Sequence, residues 1–250
     1  MKQTKKRRLW LAAVVFWLAV WQAAAMAIGQ EVFLVSPLQA FGTLVQLLPQ
    51  AEFWQRVAFS AGHILLGFVL GGVCSVLLAV AAERWLWVDA MLAPVMQLVK
   101  ATPVASFIIL ALVWVSGKSL SILISFLMVL PVLYSAVRTG LESADPQLLE
   151  MARVFRVPLG RRLRGIYLPQ VMPYFRTAVS LGLGLCWKAG AAAEIIGLPA
   201  GSMGERLYTA KVYFQTANLF AWTVTIVAVS VVFERLFLAL VDRLMGKAGL

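Results

Sequence analysis

Six apolar stretches, each close to the length needed to cross a bilayer, constrain this sequence more than any other feature. They run over about 9–28, 57–82, 91–116, 119–137, 173–193 and 219–240. A hydrocarbon core of about 30 Å is spanned by roughly 20 helical residues, because each advances about 1.5 Å. The whole chain is 62% hydrophobic and 13% charged. A soluble domain carries roughly 25% charged residues. So much apolar surface has no place in water, so the chain is expected to be an all-α, polytopic protein facing membrane lipid.

The 22 Lys and Arg residues then fix a topology. Cytoplasmic loops carry the excess of positive charge. A cytoplasmic N-terminus puts Lys2, Lys5, Lys6, Arg7, Arg8 and Arg84 on the inside. Arg138, Arg153, Arg156, Arg161, Arg162, Arg164, Arg176, Arg235, Arg243 and Lys247 fall there too. Arg56, Lys118, Arg206 and Lys211 remain outside, and Lys100 and Lys188 lie within spans. The net charge of +11 is therefore a topology signal and no nucleic-acid footprint. Both termini are expected in the cytoplasm.

The first stretch follows a basic segment and ends near Ala25, Met26 and Ala27, which look like a signal-peptidase site. A signal peptide has an apolar region of about 7–15 residues. The longer run here favours an uncleaved membrane helix. The third stretch contains Pro94 and Pro103. Proline leaves a carbonyl unpaired in a helix, so a kink or break is expected near Thr102. Only Ser116, Gly117, Lys118 and Ser119 separate the third stretch from the fourth, a tight helical hairpin.

The longest inside connection covers 138–172. Asp145 before Pro146 is a helix start, with an acceptor at the cap and proline at the first helical position. Leu148, Ala152, Phe155 and Leu159 recur at helical spacing and form one apolar stripe. Pro158 should redirect the chain, and a second short basic helix fits 159–167, stopped by Pro169. Such a helix pair either lies among lipid headgroups or docks into a groove on a soluble partner. Composition alone leaves both open.

Within this loop, EMARVFRVPLGRRLRGIYLP resembles the EAA loop of ABC importer permeases. Its pattern is E-A-A, three residues, Gly, nine residues, then I-x-L-P. Glu150 and Ala152 match the opening triplet, with Met151 at its middle position, and Ile166, Leu168 and Pro169 match the end. Arg156 replaces the usual Gly, which suits a turn with positive φ, so a different or costlier turn is implied. KATPVASFIILALVWVSG and WKAGAAAEIIGLPAGSMGERL resemble segments of the nitrate, sulfonate and taurine branch. The resemblance covers about 57–245 within a single permease domain, 1–250. It implies the molybdate/methionine-importer type of permease fold in a bacterial inner membrane, working as a homodimer. It also implies a pair of ATPase subunits holding ATP and magnesium, and an extracytoplasmic substrate-binding protein. The solute implied is a small molecule such as a sulfonate, taurine or nitrate. By the same resemblance Glu150, Ala152, Phe155, Ile166, Leu168 and Pro169 form the ATPase-coupling surface. Glu150 could instead pair with Arg153 or Arg164.

The sequence shows no GxSxG, HExxH or P-loop motif, so the chain itself is not expected to be an enzyme. No metal ligand set and no cofactor are expected. His63 lacks neighbours at ligand spacing, and Cys74 and Cys186 sit in apolar runs as small packing residues. Gly67, Gly71, Gly72, Gly182 and Gly184 are expected to allow close helix contact. Trp10, Trp85, Trp87, Trp114 and Trp222 read as interface anchors. Lys188 lies about 22 Å into its span, past the midplane. It could snorkel outward, pair with Glu194 through a break at Gly190, or face a pathway; Lys188 and Glu194 are the candidate pathway residues. A stand-alone secondary transporter is the rival reading, and it would call for an internal repeat with midplane ionisable groups. A non-transporting membrane assembly protein, whose loop merely holds a partner, is the other.

Overall fold

The computed structural model describes residues 2–248, with side chains described for 7–243. The side chains of Lys2, Lys5, Lys6 and Lys247, counted in the topology, lie outside the described residues. Every regular element among the described residues is helical: α1 (Lys2–Ile28), α2 (Pro37–Leu47), α3 (Ala51–Arg84), α4 (Leu86–Ala101), α5 (Val104–Ala111) and α6 (Gly117–Glu142). Then come α7 (Pro146–Val154), α8 (Leu159–Arg162), α9 (Leu168–Gly197), α10 (Met203–Val212) and α11 (Thr216–Ala248). Among the described residues five helices are long and apolar enough to cross a membrane, or six when α4 and α5 are taken as one bent span. That bend is 103°, and it falls at Thr102 and Pro103, where the prolines predicted it.

The centre is built by α3, α6 and α9, with Ile64, Phe68, Val129, Leu133, Val179 and Leu183 fully or nearly buried among them. These helices meet through glycine. A Cβ on Gly67 would lie 2.8 Å from Ser125 Cβ, and one on Gly71 2.9 Å from the Phe126 carbonyl oxygen. Gly190, where the sequence allowed a break, is instead a packing residue inside the unbroken α9. Its missing side chain makes room for Ile64 Cγ1 and Ser125 Oγ, at 2.6 and 2.8 Å from a Cβ there. Gly184, by contrast, has nothing within 4 Å of an added Cβ.

α11 closes one side, with Phe237 edge-on to Phe68 and Phe233 against Trp187. Trp222 is not an interface anchor. It is only 4% exposed, because its ring packs 5.1 Å from that of Phe53 in a cluster that Leu44 and Leu47 of α2 join. Trp10, Trp85, Trp87 and Trp114 are exposed. α1 joins through Trp21, whose Nε1 donates to the Val35 carbonyl at 3.0 Å. His63 stacks on Phe59 one turn earlier in the same helix.

Two elements went unread in the sequence. α2 starts at a capping box formed by Ser36 and Gln39, with Pro37 at its first position. α10 is capped by Ser202, whose Oγ accepts from the Glu205 amide. A third difference concerns the loop. Pro169 does not stop a helix, because α8, a π turn over Leu163–Tyr167 and α9 run on as one helix, Leu159–Gly197. The wider π turn admits the proline ring that would clash in a regular turn.

Ion pairs sort the bases onto opposite ends of α3. Arg138 bonds Glu83, Asp89 and Glu142 at one end, while Arg206 and Arg56 bond Glu52 at the other. Glu52 and Glu83 stand about 46 Å apart along the helix axis. Arg138, assigned to the inside by charge counting, thus lies at a different end of α3 from Arg56 and Arg206, assigned to the outside.

Candidate functional site

The connection between α6 and α9 leaves and returns at one point. A Cβ on Gly140 would sit 2.6 Å from Val171 Cα, so the two roots nearly touch. Asp145 caps α7 as expected, its side chain accepting from the Gln147 amide at 2.8 Å. α7 then ends in a Schellman turn. The Val157 amide bonds the Ala152 carbonyl at 2.9 Å and the Arg156 amide bonds that of Arg153 at 3.1 Å. Arg156 takes the left-handed position at φ 51°. The turn is therefore the one a glycine would make, held by an arginine at a cost of about 1–2 kcal/mol. Arg156→Gly is expected to stabilise the purified protein by about 0.5–1 kcal/mol, the strain relieved less the entropy glycine loses. A higher thermal midpoint in detergent would show it, and an unchanged or lower one would contradict it.

Of the residues expected here, only Ala152 is buried, at 1% exposed. Glu150 and Phe155 are exposed, and Phe155 presents 75% of its surface. Ile166 and Pro169 are half-buried and Leu168 borders on exposed, all three on the continuous helix behind. Glu150 has no ion-pair partner among the described residues, so the pairing with Arg153 or Arg164 is not made. Leu148 and Leu159 of the stripe are exposed as well, joined by Val154 and Leu163, which sequence spacing did not single out. The result is an apolar patch with one carboxylate at its edge, carried on a hairpin tied at both ends to long helices.

At the other end of α9 the two candidate pathway residues part company. Lys188 is exposed, whereas Glu194 is 1% exposed. No break in α9 brings them together, so the structural pair left open by the sequence is absent. Glu194 Oε2 accepts from Ser60 Oγ at 2.6 Å and from the Gly204 amide at 3.3 Å. Ser60 Oγ in turn accepts from the Met203 amide at 2.9 Å. The carboxyl group therefore ties α9 to α3 and to the first turn of α10, where unpaired amides favour an oxygen acceptor. Its Oε1, and the buried Ser121 Oγ, make no hydrogen bond among the described residues. Ser60, Ser121 and Gly204 escaped sequence reading. Small polar residues inside apolar runs carry no periodic signal, and the GSMGE string was read only as part of a family resemblance.

Lys188 lies past the middle of its span, toward the Gly197 end of α9, with no ion-pair partner among the described residues. An unpaired charge near the middle of a spanning helix costs about 2.5–3.5 kcal/mol on insertion scales. Beyond Glu194, the end of the molecule opposite the hairpin holds a cavity of about 130 Å³ lined by Glu52, Arg56, Arg206, Gln215 and Asn218. Arg56 bonds Glu205 there at 2.6 Å. Burial alone would raise the Glu205 carboxyl; the hydrogen bonds from Arg56 and the Gly201 amide, with the charges of Arg56 and Arg206, outweigh it and hold it below the usual glutamate value.

The fold resembles one chain in the crystal structure of an amino acid ABC transporter with histidines, with a TM-score of 0.60 at 15% identity over 83% of this chain and 98% of that one. The SsuC permease protein of Bacillus subtilis (strain 168), named for aliphatic sulfonates transport, is 25% identical over 98% of this chain and 90% of its own. The taurine transport system permease protein TauC of Escherichia coli (strain K12) is 26% identical over 92% of this chain and 85% of its own. Residues 71–247 match the family model of the binding-protein-dependent transport system inner membrane component. That match takes in the broken α4–α5 segment, the hairpin with its exposed patch and the Glu194 junction, and on it the chain belongs to the inner membrane components of binding-protein-dependent transport systems.

Proposed function

We propose that this ABC importer permease works as a homodimer that moves a small organic sulfonate inward. A pair of ATPase subunits holding ATP and magnesium seats on the α7–α8 hairpin, and a substrate-binding protein docks at the opposite end. The exposed patch around Phe155 carries this reading. Apolar side chains on a rigid short helix suit insertion into a groove of a soluble partner. Glu150 at its edge is placed for a charge-assisted bond to an arginine of that partner. The sulfonate class is supported by the names of the two relatives above.

The hairpin lies on the cytoplasmic side in this reading, with both termini. Cysteine placed at Arg162 should be protected from an impermeant thiol reagent added to intact cells, and cysteine placed at Lys118 should react. Labelling of position 162 from outside would overturn the orientation. The function itself is tested by copurification. The chain should bring down an ATPase whose turnover rises with the sulfonate-loaded binding protein; an isolated chain that transports without ATP would refute it.

A further inference from the structure

Lys100, near the end of α4, donates through Nζ to Ser135 Oγ on α6 at 2.8 Å. The Ser135 hydroxyl spends its own proton on the Pro131 carbonyl, also at 2.8 Å, so it is fixed as an acceptor and orients the ammonium. An ammonium has three donors, and one is used. Among the described residues no carboxylate lies within ion-pair distance of Lys100 or of Lys188. Both lysines are exposed.

They also share a face. Ser135 lines an open cavity of about 490 Å³ together with Thr139 on α6 and Tyr174, Thr177 and Leu181 on α9. From Thr177 the α9 residues Leu181, Gly184 and Lys188 follow at intervals of four, three and four, which keeps all of them on one side of a helix. Thr177 and Lys188 are about 16 Å apart along the axis. Thr177 and Leu181 are exposed, and Gly184, itself half-buried, meets no atom of this chain with an added Cβ, so no neighbouring helix crosses the face there. One bare strip thus carries a cation near each end and mainly apolar or small side chains between.

We propose that Lys100 and Lys188 are two successive stations for the anionic group of the transported solute. The strip formed by α4, α6 and α9 lines the pathway that a second copy encloses. The proposal rests on the reading of the chain as half of a homodimeric pathway, and it assigns the solute a negative charge. Each ammonium can hold an anion because it lacks a competing carboxylate, and dividing the positive charge between two stations about 16 Å or more apart keeps either one from holding it with the field of both. In a site with few waters the attraction is stronger than in bulk solvent.

The test uses the complete transporter in membrane vesicles, with Leu181→Cys between the stations and Cys74→Ala to remove the more accessible native thiol. Cys186 is fully buried and stays. The rates of modification by 2-sulfonatoethyl and 2-(trimethylammonio)ethyl methanethiosulfonate are compared after correction for their rates with a free thiol. Both reagents should react, with the anionic one favoured by about tenfold, a preference expected from two nearby cations at intermediate dielectric. Lys100→Gln with Lys188→Gln should abolish the preference, and arginine at both positions should keep it. A thiol that neither reagent reaches places the strip against lipid or protein and overturns the proposal, as does a preference unchanged in the glutamine pair. Uptake of ethanesulfonate is followed in parallel. If the parent transporter ignores sulfonates while the thiol preference stands, the sulfonate reading fails and the anion stations do not.

Discussion

Phe155→Asp is expected to leave the permease in the membrane at its normal level and to reduce ATP-dependent uptake by at least tenfold. Three quarters of the phenyl ring's residue surface is open in the single chain, so nothing in the fold is lost with it. A docked partner loses the burial of a large aromatic group and must accommodate a carboxylate, together roughly 3 kcal/mol or more. A factor of ten in binding corresponds to about 1.4 kcal/mol, so a loss of this size separates the ATPase at cellular concentrations. Glu150→Lys should act in the same direction but more weakly, since it removes one bond at the edge of the patch. The measurements are uptake, retention of the ATPase on the purified permease and permease abundance. Normal retention of the ATPase by the Phe155→Asp protein would take the hairpin out of the coupling interface.

The second large effect concerns two glycines given the same substitution with opposite results. Gly204→Ala should destabilise the permease by about 2–3 kcal/mol, because overpacking against an immovable neighbour is costly. The neighbour here is backbone: an added Cβ would stand 2.6 Å from the Glu194 carbonyl carbon and 2.7 Å from the Ile195 amide nitrogen. Relief requires α10 to move off α9, which breaks the hydrogen bonds of Glu194 to Ser60 and Gly204. Gly62→Ala, on an exposed face of α3 with nothing within 4 Å, should stabilise by up to about 1 kcal/mol through helix propensity. Thermal unfolding of both variants in detergent gives the comparison. Equal shifts would mean that the α9–α10 contact does not limit stability.

Local chemistry made much of this fold readable. The apolar runs located the spans, Asp145 with Pro146 located the start of α7, and Pro103 located the break between α4 and α5. Arg156 was legible too, since a position that wants glycine still took φ 51° and the strain became visible only as a side-chain choice. What could not be read depends on residues far apart in the chain. Ser60 and Glu194 are separated by 134 positions, and no periodicity links them. Trp222 looked like an interface residue because it lies near a helix start; α2, which joins its cluster, was not anticipated. Pro169 looked like a stop because a π turn, which depends on the register of the preceding residues, was not foreseeable from the proline. The exposed strip holding Lys100 and Lys188 needed the structure, since a single lysine in a span reads equally well as snorkelling, paired or functional.

The helix that begins at Leu159 in the hairpin and ends at Gly197 beside Glu194 is a single body of 39 residues, close to 58 Å long. A stiff rod that tilts about its middle carries its two ends in opposite directions. Closure at one face and opening at the other then belong to the same displacement, with no interval in which both are open. A membrane that stores energy as ion gradients cannot tolerate a continuous aqueous hole, even a brief one. In the proposed mechanism, the continuity of this helix through its π turn would then supply electrical insulation for the cell without any separate timing device.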